Sequence, residues 1–67
     1  MDIFELERNM ISFKDWKKLV PEHIYNEYLA PEVNEGCPIG CGYTKETGWF
    51  VIGSGQGPFL IFKEKSD

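Results

Sequence analysis

The chain has 67 residues, 42% of them hydrophobic, and a formal net charge of −4. So short a chain holds one domain, residues 1–67, and hides only about 60% of its unfolded surface, so its two Trp, three Tyr and five Phe have to supply much of the core. The acidic balance disfavours direct nucleic-acid contact, which needs Lys and Arg against phosphates, and no apolar run approaches the roughly 20 residues that span a bilayer.

Near the N-terminus, Ile3, Phe4 and Leu6 stand among charged residues, with Asp2 placed to cap a short helix and Asn9 to end it. The start is acidic and lacks a long apolar run, so it does not read as a signal peptide and the expected location is cytoplasmic. Ser12, three residues before Asp15, is the next start signal, a capping box with the shorter acid. Phe13, Trp16, Leu19 and Val20 then form an apolar stripe at helical spacing, with Lys14, Lys17 and Lys18 opposite. Pro21 biases Val20 out of the helical region and opens a second helix. Ile24, Tyr25, Tyr28 and Leu29 follow at helical spacing, and Pro31 is expected to stop that helix.

Residues 31–42 read as loop, with two prolines, three glycines and Asn34. Strand signals follow. Gly42-Tyr43-Thr44 leads into a turn at Lys45-Glu46-Thr47-Gly48. Trp49-Phe50-Val51-Ile52 is strongly β-prone, Gly53 to Pro58 is a second turn, and Phe59-Leu60-Ile61-Phe62 is another apolar strand. Lys63 to Asp67 reads as a polar tail. The expected fold is α+β: two or three short N-terminal helices packed on a three-stranded antiparallel β-meander. The last two strands are apolar at consecutive positions and point apolar groups to both faces. Two short helices cannot cover both, so the second face is expected to be an interface, to pair with a second copy, or to be enclosed by curling of the sheet.

Chemistry-bearing motifs are few. Cys37 and Cys41 are one residue wider apart than the commonest zinc pair, and His23 is the lone histidine available as a third ligand. Two reduced, partly buried loop thiols are the plainer reading. The loop Gly53-Ser54-Gly55-Gln56-Gly57 precedes a proline and a strand, whereas phosphate-binding loops open a helix. It is read as a wide hairpin turn that uses positive φ. No nucleophile motif surrounds His23 and no carboxylate pair suggests general acid–base work, so neither an enzyme nor a cofactor is expected.

Two stretches carry a family resemblance. The first is Val20-Pro21-Glu22-His23-Ile24-Tyr25-Asn26-Glu27-Tyr28-Leu29 with Asn34-Glu35-Gly36; the second is Phe50-Val51-Ile52-Gly53-Ser54-Gly55-Gln56-Gly57-Pro58-Phe59-Leu60. Together they resemble the SUKH superfamily, in which a proline-led helix, a glycine loop and a strand–turn–strand follow one another. The resemblance implies an α+β fold and an immunity-type protein that binds and neutralises a toxin, often a nuclease or deaminase. Physical reading and resemblance lead to one expectation: a small acidic, non-enzymatic module that occludes a surface of a protein partner. The expected contact residues are Trp49, Phe50, Gly53, Ser54, Gly55, Gln56, Gly57, Phe59 and Ile61. Up to Gly36 there are eight acids and four bases, so the helical half would steer the module towards a basic, nucleic-acid-processing partner. The alternatives are a metal- or ligand-binding mini-domain built on Cys37, Cys41 and the glycine turn, and a structural homodimer.

Overall fold

The computed structural model describes residues 2–36 and 38–65. Helix α1 covers Ile3–Arg8. The Asp2 carboxylate accepts the Glu5 N–H at 3.0 Å, and the Asn9 side chain donates to the Glu5 carbonyl at 2.7 Å, so both ends close as the sequence leads one to expect.

From α1 the chain crosses the outer edge of the sheet. Met10 bridges Gly42, and the Ile11 N–H donates to the Cys41 carbonyl at 2.9 Å. The Asn9 carbonyl lies so close to Gly42 that a Cβ there has no room. This crossing carries the backbone from one sheet face to the other.

A 3-10 turn at Phe13–Asp15 runs into α2, Trp16–Leu19. Ser12 sits at the cap position, but its side chain makes no capping bond; the Asp15 N–H reaches the Ser12 carbonyl instead, at 2.9 Å. The expected capping box is therefore absent. The expected stripe is half realised. With one turn of α-helix, Trp16 and Val20 share the inner face at i, i+4 and are buried, while Leu19 is exposed. Phe13 is exposed too, its ring 4.8 Å from that of Trp16.

The bend at Val20–Pro21 is present, with Val20 extended at φ −77°, ψ 132°. Helical structure then continues over 22–34 as α3 (Glu22–Ile24), a π-helical stretch (Tyr25–Leu29) and α4 (Ala30–Asn34). Pro31 does not stop this helix. The Ala30 N–H bonds to the Tyr25 carbonyl, five residues back, and this shift of register places Pro31 at the start of α4. In a first turn its missing N–H costs nothing.

Strands β1 (Ile39–Thr44), β2 (Gly48–Gly53) and β3 (Phe59–Lys63) form an antiparallel sheet in the order β1-β2-β3. The expected α+β meander is thus observed, although strand structure begins at Ile39, inside the segment read as loop. Cys41 and Val51 are paired, as are Tyr43 and Trp49, and these four share one face. Gly42, Phe50 and Ile52 share the other.

Each face has its own core. On the first, Trp16, Val20, Ile24 and Leu29 pack on Cys41 and Val51, with Tyr28, Trp49 and Phe62 at the margin. On the second, Leu6 packs on Phe50 and Ile52, with Ile3 beside them. The helices therefore do not all sit on one face. Helix α1 goes to the other side, and β2 is buried from both directions.

Candidate protein-contact surface

The second face is covered only in part. A six-residue helix is about 9 Å long and about 10 Å wide, enough to shield two strands spaced ~4.8 Å apart but not three. Its anchors Ile3 and Leu6 reach the β2 side chains. Strand β3 lies beyond them: Leu60, which pairs with Ile52 on this face, is 43% exposed, while its neighbours Phe59, on the Gly53 side of the sheet, and Ile61 are 53% and 40% exposed.

The register explains why three neighbours stay exposed. Phe62 pairs with Val51 and Leu60 with Ile52, leaving Ile61 as the extra residue of a bulge. Phe62 turns inward and stacks on Tyr28 at 4.3 Å, anchoring the strand. At the other end of β3 the Phe59 ring lies over Gly53, where an added Cβ would stand 2.5 Å from it. Gly53 is therefore a seat for Phe59.

The turn before β3 is exposed throughout Ser54, Gly55, Gln56 and Gly57. Gly57 has φ 117° and accounts for the expected positive-φ position. The Ser54 N–H makes a long bond to the Pro38 carbonyl at 3.4 Å. The β1–β2 turn is held far more firmly. There the Thr44 and Thr47 hydroxyls meet at 2.6 Å, the Thr47 N–H reaches the Thr44 Oγ1 at 3.0 Å, and both residues are buried. Its Gly48, at φ 68°, is the glycine expected to end the turn.

Of the nine expected contact residues, Phe59, Ile61, Ser54, Gly55, Gln56 and Gly57 are exposed and lie along one turn and strand. Phe50 is fully buried between Leu6 and the sheet and presents nothing to a partner. Gly53 is buried beneath Phe59. Trp49 is half-buried; it sits at the margin of the first core, edge-on to Tyr43 at 5.4 Å. Leu60 belongs to the exposed strip although sequence reasoning did not single it out. No sequence signal marks it, because its exposure depends on how far α1 reaches.

Residues 64 and 65 are more than a polar tail. The Glu64 N–H donates to the Trp49 carbonyl and the Lys65 N–H to the Thr47 carbonyl, each at 2.8 Å, and the Lys65 Nζ reaches the Lys45 carbonyl at 3.1 Å. They strap the end of β3 to the β1–β2 turn. Ser66 and Asp67 lie outside the described residues, as does Cys37.

Cys41 is not a loop thiol. It lies on β1, fully buried, and desolvation pushes its pKa up to about 11, against a smaller lowering effect of a backbone hydrogen bond at Gly42. Such a thiol is a poor nucleophile and a poor ligand. Among the described residues no three His, Cys, Asp or Glu side chains are grouped to hold a metal. His23 is exposed on α3. A cleft of about 380 Å³ opens between Lys17, Val20, Glu22 and Tyr25. Among the described residues no helix is long and apolar enough to cross a membrane. No family model matches the chain, and no curated protein or solved structure is significantly similar to it.

Proposed function

We propose that this protein is a small acidic, non-enzymatic binding module of the inhibitor or immunity type, acting by covering a surface of another protein. The observation that carries this reading is the run Phe59-Leu60-Ile61, three consecutive apolar residues left exposed on an edge strand. The exposed turn 54–57 extends that strip with small polar groups and backbone, suited to close approach. The excess of acids before Gly36 supports a partner with a basic surface, such as a nucleic-acid-processing enzyme, and would speed encounter with it more than it tightens the complex. The SUKH-like segments agree with this reading, as do the buried thiol on β1 and the exposed histidine, which offer no reaction centre.

The test is affinity capture from host lysate with wild-type and Ile61→Lys baits in parallel, each shown by circular dichroism to be folded. A protein retained by the wild type and lost with Ile61→Lys is expected. Identical sets of captured proteins would remove β3 from the contact surface.

A further inference from the structure

We propose that the outer edge of β3 pairs with β3 of a second copy of this chain, antiparallel about a two-fold axis, forming one continuous six-stranded sheet. The inference rests on the reading of β3 as a contact surface and names its occupant when no foreign partner is bound.

The two edges of the sheet are treated differently. The β1 edge is taken by the chain itself, through the Met10–Gly42 bridge and the Ile11 N–H on the Cys41 carbonyl. On the β3 edge, among the described residues, no strand follows. Protein edges are commonly guarded by charge, proline or a bulge. Here Phe59 to Phe62 holds neither a charge nor a proline, and the guards within β3 are the bulge at Ile61 and Lys63 at its end. An apolar edge of this kind is a template for its own copy.

Charge placement selects the antiparallel arrangement. The one charged residue of β3 is Lys63, at its end. Pairing centred on Ile61 sets Lys63 of each copy opposite Phe59 of the other and keeps the two lysines roughly 13 Å apart along the ladder. Parallel pairing would set them side by side. Eight of the eleven acids precede Gly36, outside the hairpin, so the net −4 of each copy is not concentrated at the junction.

The area sets the strength. At the exposures given for Phe59, Leu60 and Ile61, and taking about 200 Å² for a large apolar residue, each copy could bury at most roughly 250 Å² of these side chains. A standard stable interface buries about 800 Å² per partner. Backbone bonding narrows that gap without closing it, and the bulge keeps the ladder short. The dimer is therefore weak and reversible, and a foreign partner for β3 has to compete with it.

Sedimentation velocity from micromolar to millimolar concentration tests this on wild type, Ile61→Lys and Phe4→Lys, the last placing a charge on an exposed position of α1. The wild type and Phe4→Lys should pass from one chain to two as concentration rises. Ile61→Lys puts like charges against each other at the axis and should associate at least about tenfold more weakly. A wild type that stays monomeric throughout, or a dimer that survives Ile61→Lys, overturns the proposal. The two readings separate cleanly. A monomeric wild type whose captured protein is still lost with Ile61→Lys sinks the dimer alone. A dimer broken by Ile61→Lys with unchanged capture sinks the binding-module reading alone.

Discussion

Trp49-Phe50-Val51-Ile52 and Phe59-Leu60-Ile61-Phe62 are nearly the same string of residue types, yet they end in opposite places. In β2, Phe50, Val51 and Ile52 are at most 2% exposed. In β3, only Phe62 turns into a core, by stacking on Tyr28. The difference is not one of propensity or hydrophobicity. It arises from position in the sheet and from the reach of α1, which shields the central strand and stops short of the edge. An apolar run with no alternation can be a doubly buried strand or an edge that waits for cover, and the run alone does not distinguish them.

The sharpest way to break this comparison is to truncate one phenylalanine in each strand. Phe50→Ala should cost about 3–5 kcal/mol, because it empties a site enclosed by Leu6, Ile52 and the sheet. In a chain this small that loss approaches the whole stability. Phe59→Ala should cost about 1 kcal/mol, since its ring is more than half exposed and touches mainly Gly53. Urea denaturation of both variants measures the gap. Equal losses would mean that β3 is as much core as β2.

Much of this architecture was legible from local chemistry. Asp2 and Asn9 mark the ends of α1 because capping is decided within a few residues. Val20-Pro21 marks the bend for the same reason. The failures were matters of helix register and of tertiary partnership. Pro31 reads as a stop, but a π-helical stretch shifts the register and keeps the helix going. Cys41 reads as a loop thiol because the surrounding glycines suggest a turn. Those glycines instead let Asn9 and Met10 press against a strand. Of the nine residues expected at a contact surface, the six that are exposed were legible as an apolar strand and a glycine turn. The burial of Phe50 and the exposure of Leu60 depended on which side α1 takes and how far it extends, the burial of Gly53 on the Phe59 ring above it, and no local pattern encodes these.

The two hairpin turns extend the comparison at smaller magnitude. The β1–β2 turn is closed by buried hydroxyls, whereas the β2–β3 turn is open and exposed. Thr44→Val removes the acceptor for the buried Thr47 N–H, a loss of about 1–3 kcal/mol, while the Thr47 hydroxyl keeps its bond to the Gly48 carbonyl. Ser54→Ala, by contrast, should fall within about 0.5 kcal/mol of wild type, as exposed substitutions away from special contacts do. Thermal melts of the pair check this. If the two variants melt together, the threonine contacts are incidental to the hairpin.

The smallest effect is a pH dependence, and it reports on the sheltered side of the sheet. Cys41 pairs with Val51 beneath the larger core, and burial raises its pKa from 9.0 to about 11. In the unfolded chain the thiol ionises near 9, so between 9 and 11 the unfolded state has lost a proton that the folded state still holds. Stability therefore falls as pH rises through that window and is unaffected by this group below it. Replacing Cys41 by valine, which fills the same apolar site with a side chain that cannot ionise, should flatten that part of the stability–pH curve. Titration of the wild type with an aromatic disulfide at neutral pH should likewise leave Cys41 unmodified until the chain unfolds. An unchanged alkaline slope in the valine variant, or rapid modification of Cys41 in the native protein, would show that the space beneath Val51 admits water and that the contrast between β2 and β3 is smaller than the packing implies.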